Sequence, residues 1–362
     1  MIRNEPGNVP IFEGVSVSTQ AIEAVPLRPS PVDLVETFDR ILAQRESIEA
    51  VLRDAFDKGA KRVYLVGSGG SYLANFNAAY LLEKHLADVT VHHITSGEFL
   101  AREPLGVNAD AIVIAGSHTG GTKETVASVE FAKKRGATVL AYCSNADTAL
   151  GAASPNFWSY DSKTTTGDAK QLFTAVFAYA VLKTAGADLD FEAIERNYAK
   201  LGPAIKQIHE KVDAEYGELA KKYHTENVTY VVGSGPGQAA AYNLSMCYLM
   251  EMQWMNSGFF NAAEFFHGAV EIVEDDVPVF VFLGEDSTRP LAERVRDFAV
   301  QRSSKVVTFD SKDFELEGFD EEYRYLAAPH ILFTLTGRLA AQYAILNNHD
   351  LSTRRYMGKV AY

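Results

Sequence analysis

The stretch Ala111 to Thr125, AIVIAGSHTGGTKET, joins five apolar residues to a loop carrying Ser117, His118, Thr119 and Thr122. Hydroxyls and glycines at the head of a helix suit an anion, because the first backbone N–H groups lack helical partners and the dipole is positive there. A phosphate fits such a loop. Taken alone, an ordinary turn with a Ser/Thr cap explains it equally well. A second candidate is Glu251 in YNLSMCYLMEMQWMN, flanked by Leu249, Met250, Met252, Trp254 and Met255. Apolar company disfavours a charged carboxylate and would lift its pKa toward the range of a general base. The plain alternative is a surface glutamate between hydrophobic neighbours. Further on, AAEFFHGAVEI places Glu264 and His267 three residues apart, on one face if the segment is helical. Gly268 lets a backbone or ligand come close to that histidine.

These groups need elements to hold them. Ala111 to Ala115 is the short apolar run of a parallel strand covered on both faces, and KETVASVEFAKKRG has helical spacing with Gly136 as its stop. The pattern is written twice. RVYLVGSGGSYLA from Arg62 recurs as VTYVVGSGPGQAA from Val228, an offset of 166, and DAIVIAGS from Asp110 recurs as DVPVFVFLG from Asp276. TVLAYCS is answered by VVTFDS at an offset of about 167, so the spacing indicates an internal duplication. Each copy reads strand, Gly/Ser turn, helix, strand, polar loop, helix, strand: an α/β fold of two parallel sheets flanked by helices. The second copy has Gly284, Glu285, Asp286 and Ser287 where the first has its hydroxyl loop. Two carboxylates would repel a phosphate, so the ligand is expected at the first copy.

The expected organisation is an N-terminal arm (1–36), a first domain (37–190), a helical connector (191–224), a second domain (225–345) and a C-terminal tail (346–362). At 362 residues, two domains with a core each are expected. A net charge of −13 argues against nucleic acid or an anionic membrane as partner, while a helix terminus still acts locally on a small phosphate. Cys143 and Cys247 lie in apolar segments and no Cys/His spacing suits a metal, so reduced structural thiols and no metal are expected. No apolar run approaches a membrane span and the N-terminus lacks the order of a signal peptide, so a cytoplasmic location is the default.

GSGGSY (Gly67 to Tyr72), SGEF (Ser96 to Phe99), SHTGGT (Ser117 to Thr122), Glu251, EFFHG (Glu264 to Gly268) and the terminal RRYMGKVAY together resemble the sugar isomerase (SIS) family in its double-domain form. MEMQW, EFFHG and the TRRYM tail resemble its fructoselysine-6-phosphate deglycase branch most. The resemblance implies two tandem flavodoxin-like three-layer domains. It also implies that Ser117, His118, Thr119 and Thr122 hold a sugar phosphate, with Gly70 and Ser71 helping to close the site. It makes Glu251 the base that moves a proton between C1 and C2. His267 becomes the ring-opening histidine, which in relatives reaches in from a neighbouring subunit, and Lys359 the tail lysine over the sugar, a cation for the negative charge that develops on O2. Glu264 is left as a second proton carrier, an orienter of His267 or a structural residue. Gly121 departs from the glucosamine-6-phosphate synthase loop, which carries Glu there. The implied activity is cleavage of a phosphorylated Amadori compound to an aldose 6-phosphate and an amino acid, with no cofactor, in a homo-oligomer. The alternatives are a phosphosugar aldose–ketose isomerase and, outside enzymes, a phosphosugar-sensing regulator. A regulator has no need of Glu251, His267 and Lys359 together.

Overall fold

The computed structural model describes residues 30–361. The expected arm falls largely outside them, as does Tyr362. Among the described residues, nine parallel strands form two sheets. The first contains β1 (Arg62–Gly67), β2 (Thr90–Thr95), β3 (Ala111–Gly116), β4 (Thr138–Cys143) and β5 (Asn156–Ser159), in the order β2-β1-β3-β4-β5. The second contains β6 (Val228–Gly233), β7 (Asn256–Asn261), β8 (Val279–Leu283) and β9 (Val306–Asp310), in the order β7-β6-β8-β9. The edge strands β2, β5 and β7 have no counterpart in the sequence reading, which expected three strands per copy. They are only partly buried, β5 has just four residues, and TVHHIT and NSGFFN lack a continuous apolar run.

Strand register repeats with the sequence. Tyr64 pairs with Val113 in the first sheet, and Tyr230 pairs with Val279 in the second, each residue shifted by 166. The edge pair Tyr64 and His92 returns as Tyr230 and Gly258 at the same shift.

Alternate residues of each strand serve different cores. Val63, Leu65, Ile112, Ile114, Leu140 and Tyr142 face one side of the first sheet, and Tyr64, Val66, Val113, Ala115, Val139 and Ala141 face the other. In the second sheet Val231, Phe280, Phe282 and Phe309 join the same cluster as the first group, while Val232, Val279, Val281 and Leu283 form an outer core. The two sheets thus share one central core instead of the separate cores expected. The segment read as one leading helix enters it as two, Leu34–Ala43 and Arg45–Asp57. Helices Gly167–Thr184, Leu201–Tyr223 and Arg324–Leu346 complete the layer. The last two pack along each other, and the last also meets the first of them. This layer fixes the first sheet relative to the helix that carries Glu251.

Candidate active site

β1 and β3 deliver the first-copy loops to the same edge of their sheet. After β1 the chain turns sharply into the helical turn Gly70–Leu73, and a Cβ on Gly67 would lie 2.8 Å from the Ser71 carbonyl carbon. Ser71 is buried there. After β3, the Ser117 and Thr122 hydroxyls are 3.0 Å apart. Thr122 stands at the N-cap of helix Lys123–Lys134 without using its side chain as a cap. Thr119 Oγ1 accepts the Gly121 N–H at 3.2 Å, and His118 Nδ1 lies 2.6 Å from the Tyr160 hydroxyl. Burial, and secondarily the Lys170 ammonium, pushes the His118 pKa down. A ligand anion therefore meets a neutral imidazole at neutral pH.

The matching loop of the second copy is occupied by its own side chains. Asp286 Oδ1 accepts the Thr288 N–H at 2.8 Å and its hydroxyl at 2.6 Å. Glu285 pairs with Arg324 at 3.0 Å. The carboxylates that argued against an anion here thus serve local structure.

Glu251 comes from the second copy. Its segment, Asn243–Met252, is π-helical, and it packs against the Gly70–Leu73 turn. Such wide turns recur at functional sites because they re-aim side chains. Trp254 closes the segment with φ 57, a left-handed conformation costly for a bulky residue. The Arg355 guanidinium covers its ring at 4.2 Å and His349 meets it edge-on at 4.4 Å. The tail is tied to the same place, because Gln253 accepts from Asn347 at 3.0 Å and donates to the His349 carbonyl at 2.8 Å.

The carboxylate at 251, expected in apolar company, has an ion-pair partner. Arg354 Nη2 lies 2.7 Å from Glu251 Oε1, with both side chains partly exposed. The same guanidinium donates through Nη1 to the Leu351 and Thr353 carbonyls at 2.7 and 2.9 Å. Lys359, expected over the sugar, is exposed and donates to the Arg354 carbonyl. The tail residue that meets the carboxylate is Arg354. Between Glu251 and the tail lies a cleft of about 350 Å³ lined by Met250, Trp254, Met255, Arg355 and Tyr356.

Glu264 and His267 are exposed, with the His267 N–H donating to the Glu264 carbonyl at 2.9 Å in a short 3₁₀ turn. Glu251 precedes β7 and this turn follows it. The six residues of β7 lie between the two positions in the chain, a strand roughly 17 Å long at about 3.3 Å per residue. Among the described residues no hydrogen bond or ion pair joins Glu251 to His267.

The sequence reading missed Arg354 and Lys170. Arg354 stands in the TRRYM tail, where the resemblance points to Lys359 instead. Lys170 lies in the first turn of the largely buried helix Gly167–Thr184, just after the hydroxyl-rich run TTT, and that placement is its signal. Its Nζ fills the place of a Gly70 side chain, 2.8 Å from where a Cβ would stand. Cys247, also nearby, is pushed up to about 12 by burial and by Glu251, so it is a thiol and not a nucleophile at neutral pH. Among the described residues no group of three or more His, Cys, Asp or Glu could hold a metal, and no helix is long and apolar enough to cross a membrane.

A family model for the SIS domain matches residues 58–177. Fructosamine deglycase FrlB of Bacillus subtilis is 30% identical, over 87% of this chain and 97% of its own. The chain belongs to the SIS domain family. Fructoselysine 6-phosphate deglycase of Escherichia coli is 24% identical to this SIS chain, over 90% of it and 94% of the relative. A solved structure from Bacillus subtilis, provisionally named a phosphosugar isomerase, matches with a TM-score of 0.83 at 28% identity, covering 90% of this chain and 100% of that one. This SIS protein is an enzyme of the deglycase and phosphosugar isomerase group.

Proposed function

We propose that the enzyme cleaves a fructosamine 6-phosphate, such as fructoselysine 6-phosphate, to an aldose 6-phosphate and an amino acid. The observation that carries this reading is the hydroxyl loop of the first copy, set at a helix N-terminus, with the Glu251 helix packed against the neighbouring Gly70 turn. Ser117, His118, Thr119 and Thr122 hold the 6-phosphate, aided by Gly70 and Ser71. Anchoring that end sets C1 and C2 against Glu251.

Glu251 takes a proton from C1 of the open-chain ketose and returns one to C2, which leaves an imine at C1. Water splits the imine. His267 opens the sugar ring; Glu251 precedes β7 and His267 follows it, and the histidine acts in the site of a second copy. Exposed Met246, Trp254 and Met357 give that copy apolar surface to cover. Glu264, beside His267, is placed to carry a proton for imine hydrolysis. The tail covers the site, with Arg354 on the base and Lys359 as a further cation within reach of the substrate once the tail adjusts.

The cleft beyond Glu251 favours a deglycase over an aldose–ketose isomerase, because a hexose phosphate alone has no amine portion to fill it. The decisive experiment incubates the purified enzyme with a panel of phosphorylated fructosamines and follows glucose 6-phosphate. Release of glucose 6-phosphate and free amino acid supports the proposal. Interconversion of fructose 6-phosphate and glucose 6-phosphate, without cleavage of any fructosamine, would assign the isomerase instead.

A further inference from the structure

We propose that Lys170 is the cation that holds the charge developing on O2 of the sugar during proton transfer, an inference that rests on the reaction proposed above. Lys170 stands in the first turn of helix Gly167–Thr184, where the helix dipole opposes a positive charge. Its ammonium lies against the Gly70 turn, in space that any side chain at position 70 would take. The absent side chain at 70 and the lysine thus define one feature.

Burial disfavours the ammonium, and the Glu251 carboxylate offsets that only in part. A cation kept at such a place is complemented by an anion that arrives with the substrate or develops on it. Two observations favour the developing charge over the phosphate. The phosphate loop already has a helix N-terminus, three hydroxyls and His118. Lys170 also lies near enough to both His118 and Glu251 to act on their charge, so it neighbours the phosphate loop as well as the base.

In the proton transfer Glu251 takes the C1 proton, the C1–H electron pair becomes the C1=C2 bond, and the carbonyl pair moves onto O2. The negative charge then faces the Lys170 ammonium. When Glu251 returns the proton to C2, the nitrogen lone pair closes C1=N and the proton that nitrogen releases makes O2 a hydroxyl. The product is an isomer of the substrate, and Lys170 ends as it began.

The test compares Lys170→Met, Lys170→Ala and the wild type with fructoselysine 6-phosphate as substrate and inorganic phosphate as competitor. Lys170→Met is expected to lower kcat and exchange of the C1 hydrogen with deuterated water together, by about a hundredfold or more. KM and inhibition by phosphate should stay within about threefold, as for a group that acts mainly in the transition state. The melting temperature should not fall, since a neutral chain of similar length replaces a buried charge. Ethylammonium added to Lys170→Ala should restore part of the rate, which a packing role would not allow. Turnover within about twofold of wild type in Lys170→Met, or a tenfold loss of phosphate inhibition with kcat preserved, overturns the proposal. A wild type that neither cleaves nor exchanges any phosphorylated fructosamine removes the reaction itself, and this role with it.

Discussion

Arg354 of the tail and Glu251 of the π-helical segment form an ion pair at 2.7 Å, and the same guanidinium is fixed by two tail carbonyls. The pair couples the conformation of the last residues to the orientation of the carboxylate. A partly exposed pair contributes at most about 1 kcal/mol to stability, so its weight lies in positioning. Arg354→Ala should lower kcat by roughly tenfold with little change in melting temperature, more than Lys359→Ala does. Steady-state kinetics of the two variants decide between them. A larger loss in Lys359→Ala would mean that the tail rearranges on substrate to bring the lysine in.

Glu251→Gln should bind the phosphorylated substrate but lose turnover by about a hundredfold to ten-thousandfold, the usual range for a general base. The near-isosteric amide preserves the packing beside Met250. Exchange of the C1 hydrogen in deuterated water isolates the step. Wild-type exchange in this variant would transfer the role to another group, Glu264 first.

The separation of Glu251 and His267 along β7 gives a complementation test. Glu251→Gln and His267→Ala should each be nearly inactive alone. Mixed in equal amounts under conditions that exchange subunits, they should recover about a quarter of wild-type activity, because half the dimers are mixed and each holds one intact site of two. No recovery in demonstrated mixed dimers would place both residues' work within one chain.

Ser117 and Thr122 order each other through their hydroxyls. Ser117→Ala and Thr122→Ala should each raise KM by roughly tenfold with a smaller effect on kcat, since phosphate contacts are made equally in ground and transition states. Inorganic phosphate should inhibit both variants more weakly than wild type. Unchanged KM and inhibition would remove the loop from the site.

Stability should depend on pH through His330, which is buried in the shared core against Tyr198, with neither ring nitrogen hydrogen-bonded. Burial pushes its pKa from 6.5 to about 3. Between these values the unfolded chain binds a proton that the folded chain does not, so stability is full above pH 6.5 and falls as pH falls toward 3. His330→Leu should flatten that slope by about 1.4 kcal/mol per pH unit relative to wild type. Urea unfolding between pH 4.5 and 7.5 measures the difference, and parallel slopes would show that His330 does not titrate on unfolding.

What the sequence determined by itself is local or repeated. The apolar run of β3 and the hydroxyls at the head of the next helix are adjacent in the chain, so strand, loop and helix could be read without knowing what packs on them. The duplication was legible because its landmarks recur at one offset, and strand register keeps that offset. The family followed from short motifs of the same kind. Tertiary structure decided the rest. Edge strands β2, β5 and β7 are half-buried and polar, and only pairing with a neighbour defines them. The shared core arises because alternate faces of both sheets meet the same helices, which no window of sequence contains. Lys170 against Gly70 and Arg354 against Glu251 join residues far apart in the chain, so spacing carried no sign of either contact. Apolar neighbours in sequence suggested an enclosed Glu251, but side chains adjacent along a helix point to different sides. The fold turned this one toward a guanidinium and an open cleft.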